Sequence, residues 1–145
     1  MRIVYGLGVR MMFAMMWLAS FFHTKARKWV SGRKTPITDF QVPSNKKVVW
    51  FHCASLGEFD QGLPVMNELK AQNPDLFLLV TFFSPSGMEF YNKRQHSVDL
   101  AVYLPLDTKR KATQFVAYFK PQLVYFVKYE FWYNHLKAAR RSGAK

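Results

Sequence analysis

Residues 48–62 read VVWFHCASLGEFDQG. Val48 to Cys53 show no alternation of apolar and polar residues. The turn Ala54-Ser55-Leu56-Gly57 follows, and Glu58 then opens an amphipathic stretch. A short, continuous apolar run marks a strand covered on both faces, which is the signature of a parallel sheet sandwiched by helices. The small turn and the acid mark the start of the helix that crosses to the next strand.

Outward from this unit the pattern repeats. A helix is expected over 58–72, with Phe59, Leu63, Met66 and Leu69 near helical spacing and Pro64 marking a kink or the end of its first turn. Asn73-Pro74-Asp75 is a turn, and 76–83 (LFLLVTFF) is a second strand. Ser84-Pro85-Ser86-Gly87 turns into a short helix, MEFYNKR, before a third strand at 100–106 (LAVYLPL). Asp107 is expected to cap the helix TKRKATQFVAYF. A fourth strand follows at 121–127 (PQLVYFV), then a last helix from Glu130 with Gly143 as its stop. The fold class is therefore α/β: a Rossmann-like parallel sheet with helices on both faces. Such sheets bind ligands at the carboxyl ends of their strands. There the sequence places His52 to Glu58, Ser84 to Gly87, Asp107 and Glu130.

Before the sheet lies a different kind of sequence. Residues 3–22 (IVYGLGVRMMFAMMWLASFF) hold one charge, Arg10, and HTKARKWVSGRK follows at once. Twenty apolar residues are about what a bilayer-crossing helix needs. Arg10 favours a helix lying in the interface as much as one that spans. The expected organisation is a membrane-anchor helix at 1–24, a basic linker at 25–45 and the sheet domain at 46–145. The chain carries 21 Lys and Arg against 9 Asp and Glu, a net charge of +12. The excess is uneven. Residues 1–38 contain Arg2, Arg10, Lys25, Arg27, Lys28, Arg33 and Lys34 and no acid. Basic residues beside an apolar segment stay on the cytoplasmic side and attract anionic lipids. Because the charge adjoins an apolar segment, nucleic acid is not the expected partner.

Other chemistries find no motif. The single cysteine, Cys53, permits no intrachain disulfide and reads as a small buried hydrophobe. The histidines lack metal-ligand spacing, so no metal is expected. No phosphate-binding loop is present, and Gly6-Leu7-Gly8 lies in the apolar segment rather than after a strand. Glu58 suits either a helix first turn or a general base with room for an acceptor hydroxyl. Ser84, Ser86 and Gly87 suit a cap or an anion site, and Glu130 a cap or a second carboxylate of a site. Asp107 reads as a cap.

Four segments together, WFHCASLGEFDQ, TFFSPSGME, VYLPLDT and PQLVYFVKYEFWYN, resemble the bacterial Kdo transferase family in order and spacing. The family pattern His-Ala-(Ala/Val)-Ser-Val-Gly-Glu stands here as His52-Cys53-Ala54-Ser55-Leu56-Gly57-Glu58, and Thr-Pro-Thr-Gly as Ser84-Pro85-Ser86-Gly87. Glu-Thr-Glu-Leu-Trp-Pro-Asn stands as Lys128-Tyr129-Glu130-Phe131-Trp132-Tyr133-Asn134, with Lys128 replacing the first acid and Tyr133 the proline.

The resemblance implies the N-terminal, acceptor-side half of a two-domain glycosyltransferase of GT-B type. Such an enzyme moves 3-deoxy-D-manno-octulosonic acid (Kdo) from CMP-Kdo to a lipid A precursor in lipopolysaccharide biosynthesis. It inverts the anomeric centre, needs no cofactor or metal, and works at the cytoplasmic face of the inner membrane. It further implies Glu58 as general base, Glu130 as transition-state support, and Ser55, Gly57, Ser84, Ser86 and Gly87 as substrate-binding residues. CMP-Kdo would bind a C-terminal domain outside these 145 residues, so the chain alone is expected to be inactive. The alternative is a membrane-anchored module that binds acidic lipid without chemistry.

Overall fold

The structure, a computed structural model, describes residues 2–128 and 130–145, with the Arg2 side chain excepted. Its centre is β1 (Lys47–Cys53), in which Val48 to Cys53 are all buried. It pairs in parallel with β2 (Leu76–Phe82) on one side and β4 (Leu123–Phe126) on the other. The edge strand β3 (Leu100–Tyr103) pairs in parallel with β2, giving the order β3-β2-β1-β4. The apolar run that opened the reading is thus the strand with neighbours on both sides and cover on both faces.

Because strand side chains alternate, β1 divides its residues between two cores. Val48 and Trp50 pack with Leu79, Phe115 and Phe119 beneath α5 (Lys109–Phe119) and α6 (Tyr133–Arg141). Val49, Phe51 and Cys53 pack with Leu78, Val80 and Phe82 beneath α3 (Leu56–Gln72), which contributes Phe59 and Met66. Phe77 and Leu79 of β2 share the α5–α6 face, so the same alternation puts His52 and Thr81 there as well.

Several boundaries differ from the sequence reading. Pro64 sits within α3 without ending it, on an exposed face where the missing N–H costs least. The third strand ends at Tyr103: the Leu104 N–H still donates to the Phe82 carbonyl of β2 at 2.8 Å, and the chain then leaves the sheet. The short helix is α4 (Pro85–Phe90), with Ser84 as N-cap, followed by a 3-10 turn at Tyr91–Lys93. Thr108, not Asp107, caps α5, accepting a hydrogen bond from the Lys111 N–H at 3.4 Å. The last helix begins at Tyr133 rather than Glu130 and stops where Gly143 takes a positive φ of 85°.

The N-terminal region is more ordered than the expected linker. Residues 25–45 include most of α2 (Thr24–Ser31), with Ala26, Trp29 and Val30 buried, and a 3-10 turn at Ile37–Asp39. Arg33 then fastens this segment to the sheet. Its guanidinium donates to the carbonyls of Trp29 (3.0 Å), Phe83 (2.8 Å) and Leu104 (3.0 Å) and lies over the Trp29 ring at 3.8 Å.

The first helix, α1 (Arg2–Ala19), buries Val9 and packs against the body through Met12, Phe13 and Met16, which meet Trp29, Val30 and Leu106. Its 18 residues span about 27 Å at 1.5 Å per residue. Among the described residues no helix is long and apolar enough to cross a membrane. The anchor expectation is therefore not borne out as a span: one face of α1 is spent on the protein. The opposite face leaves Ile3, Leu7, Met11, Met15 and Leu18 exposed.

Candidate functional site

The chain runs outward from β1 through β2 to β3, then returns to place β4 on the other side of β1. In an open parallel sheet, the crevice at the carboxyl ends beside such a reversal is the usual ligand site. Two carboxylates flank it: Glu58, in the first turn after β1, and Glu130, four residues beyond β4.

Glu58 forms a capping box with Ser55. Its Oε2 accepts from the Ala54 N–H and, at 3.3 Å, from the Ser55 N–H, while Oε1 has no hydrogen-bond partner among the described residues. The cap satisfies the orphan donors of α3 and pins the carboxylate at the same time. The turn after β2 is tied alongside, because the Ser84 N–H donates to the Ala54 carbonyl at 2.7 Å. In that turn Ser84 Oγ and Ser86 Oγ lie 2.9 Å apart. Gly87 is buried where a Cβ would stand 2.1 Å from the Phe82 ring, so packing alone demands glycine there. Gly57 is exposed with open space about it.

Glu130 is fixed differently. Its Oε2 lies 3.0 Å from His52 Nε2 and 2.7 Å from Trp132 Nε1, and Oε1 is without a partner among the described residues. The hydrogen bond from His52 holds the Glu130 carboxyl below the ordinary glutamate range against a burial effect of opposite sign; Trp132 adds to the lowering. Its side chain stays 30% exposed. Glu130, Phe131 and Trp132 face Tyr5, Gly8, Val9 and Met12 of α1 across a groove of about 420 Å³. Tyr129, part of the same sequence segment, lies outside the described residues.

Thr81 escaped the sequence reading, and His52 entered it only as the start of the rim segment 52–58 with no role of its own, although a signal existed. Each is a polar residue in a fully buried strand, and the parallel register makes them partners, with His52 Nδ1 2.9 Å from Thr81 Oγ1.

Asp107 is the other correction. It is buried and serves α6, not α5. Oδ1 accepts from the His135 N–H at 2.9 Å and lies 2.7 Å from His135 Nδ1. Oδ2 accepts from the Asn134 N–H at 3.0 Å and from the Tyr5 hydroxyl of α1. Burial alone would raise the Asp107 carboxyl, but the bonds from His135 and Tyr5 outweigh it and hold it below the ordinary range. Burial lowers His135, and burial next to Asp107 raises Tyr5. A neutral His135 then donates from Nδ1, leaving Nε2 without a partner among the described residues. The group of Asp107, His135 and Tyr5 joins α1, α6 and the end of β3.

The family model of 3-deoxy-D-manno-octulosonic-acid transferase (Kdo transferase) matches residues 26–145. The chain belongs to this family. The Kdo transferase of Aquifex aeolicus is 36% identical over 87 residues, covering 60% of this chain and 24% of that protein. The one from Chlamydia trachomatis serovar D is 30% identical over 129 residues, covering 86% of this chain and 29% of its own. A probable mitochondrial Kdo transferase of Arabidopsis thaliana is 30% identical over 92 residues, covering 63% of this chain and 21% of that protein. The chain thus spans about a quarter of the length of these curated relatives. The matched region contains the whole sheet and both carboxylates but not α1.

Proposed function

We propose that this chain is the acceptor-side half of an enzyme that transfers Kdo from CMP-Kdo to a lipid A precursor, with inversion and without a metal. The observation that carries the reading is the pair of carboxylates beside the sheet reversal, each tied by Oε2 with Oε1 left over. A general base must be held still and keep an oxygen for the acceptor proton. Glu58 meets both needs. It would remove the proton from a sugar hydroxyl as that oxygen attacks the Kdo anomeric carbon and CMP departs. Glu130, kept ionised by its partners, would stabilise the cationic character developing at that carbon. Ser55, Gly57, Ser84, Ser86 and Gly87 would shape the acceptor side, with Gly87 acting through its packing on Phe82. CMP-Kdo would be held by the family's second domain.

The outward apolar face of α1 and the acid-free basic segment 1–38 support peripheral docking on the cytoplasmic face of the inner membrane, where anionic lipids and the phosphorylated acceptor are found. A second reading rests on the exposed apolar face of α1 beside the basic segment: a membrane-anchored module that binds acidic lipid without chemistry.

The test is Kdo transfer to a lipid A precursor by this chain, with and without a separately supplied C-terminal domain from a family member. Product only with the added domain is expected. Bound precursor and no product in either case would leave the lipid-binding module.

A further inference from the structure

We propose that His52 is the positioning residue of Glu130, held as one tautomer by a buried hydrogen-bond chain that starts at Trp50 and passes through Thr81. The proposal deepens the reading of Glu130 as a group that meets the reacting sugar.

The direction of the chain follows from which atoms can donate. An ionised carboxylate only accepts, so Nε2 of His52, 3.0 Å from Glu130 Oε2 and 3.0 Å from the Trp132 indole nitrogen, bonds to the carboxylate only when it carries hydrogen. At the other end, the Trp50 indole can only donate, and its Nε1 lies 2.8 Å from Thr81 Oγ1. The Thr81 hydroxyl hydrogen then needs an acceptor. His52 Nδ1, at 2.9 Å, is the acceptor at hand among the described residues. This fixes Nδ1 as bare. Every donor points the same way: Trp50 to Thr81, Thr81 to His52, His52 to Glu130.

The other two states of the ring fail the same accounting. A ring with hydrogen on both nitrogens leaves the buried Thr81 hydroxyl hydrogen without an acceptor in the chain. A ring with hydrogen on Nδ1 alone leaves the same hydroxyl hydrogen without an acceptor; its bare Nε2 could take the Trp132 indole N–H at 3.0 Å but would still face Glu130 Oε2. Trp50, Thr81 and His52 are each 0% exposed, so water cannot repair either fault.

The effect on Glu130 is geometric. His52 and Trp132 both donate to Oε2, which leaves Oε1 without a partner among the described residues. Among the described residues, three elements bring titratable groups near Glu130. Tyr5 of α1 lines the same groove, His52 faces Glu130 from β1, and His135 of α6 lies behind Trp50 at 6.0 Å between ring centroids, backed by Asp107.

The experiment is nuclear magnetic resonance of the 145-residue chain, with long-range proton–nitrogen spectra of its histidines and carbon-detected titration of the Glu130 carboxyl. Hydrogen on Nε2 and a bare, hydrogen-bonded Nδ1 at His52 are expected, with a Glu130 midpoint below the ordinary ~4.3. Thr81→Val keeps the shape and removes the hydroxyl. It should abolish the hydrogen-bonded Nδ1 signature and move the Glu130 midpoint upward by roughly half a unit or more, and Thr81→Ser should restore both. His52→Gln retains an N–H for Glu130 and should shift the midpoint less than His52→Phe does. Hydrogen on Nδ1, or a Glu130 midpoint unmoved by Thr81→Val in a folded chain, would overturn the proposal. Neither readout needs sugar transfer, so its failure is separable from failure of the transferase reading.

Discussion

The described residues include two histidine–carboxylate pairs on the same side of the sheet, and they are built to opposite ends. Asp107 and His135 are both fully enclosed, and each Asp107 side-chain oxygen is committed to protein donors. Glu130 keeps 30% of its side chain exposed and one oxygen without a protein partner, and only its histidine is buried. Their tautomers are opposite too. His135 donates from Nδ1, whereas His52 is assigned a donor at Nε2. An enclosed pair can only hold elements together. A half-open pair spends its buried histidine on fixing a carboxylate that solvent or a ligand can still reach. The same kinds of side chain are thus closed off after β3 and left open to a ligand beside β4, and exposure sets the division.

The sharpest way to break this comparison is to remove a partner from the closed pair. Asp107→Ala leaves two helix N–H groups, the Tyr5 hydroxyl and His135 without their acceptor. It should cost about 3–5 kcal/mol in urea unfolding and release α1 from the body, seen as increased hydrogen exchange over residues 3–19. A loss below ~1 kcal/mol would show that Asp107 is not structural.

Acid separates the pairs by pH window. The lowered His135 resists a proton that the unfolded chain accepts, so its contribution fades as pH falls through about 6.5. Asp107 and Glu130, both held low, contribute above the ordinary carboxylate range and lose that contribution as pH falls below ~4. Stability measured from pH 8 to 3 should therefore fall in two stages. His135→Phe should flatten the upper one, and an unchanged upper stage in that variant would contradict the assignment.

Smaller effects belong to the open pair. Thr81→Val should cost about 1–3 kcal/mol, because the Trp50 N–H loses its buried acceptor. Glu130→Gln should cost under ~1 kcal/mol, since its site is half open. Equal losses for Glu130→Gln and Asp107→Ala would erase the distinction between the pairs.

Much of the fold was legible because burial writes itself into local sequence. Val48 to Cys53 and Leu76 to Phe82 read as covered strands on composition alone, and the turn 54–57 with Glu58 read as a helix start. Asp107 misled for a physical reason. An acid just before a helix is ordinarily that helix's cap, but Thr108 takes this role, and Asp107 caps a helix whose His135 is 28 residues away. His52 and Glu130 are 78 residues apart, and only the placement of β4 beside β1 brings them together. The apolar segment 3–22 carried the composition of a span, while Tyr5, Val9 and Met16 direct one of its faces onto the protein. Periodicity shows that a face exists, not what covers it.

The most direct measurement of the central claim is the rate of Kdo transfer by Glu58→Gln, in this chain supplemented with a family C-terminal domain, alongside binding of the lipid A precursor. The substitution keeps the shape of the cap and removes the base. Precursor binding should be retained while transfer falls by about 10²–10⁴-fold. Near-normal transfer by the variant would leave Glu58 as a helix cap alone and remove the base from this site.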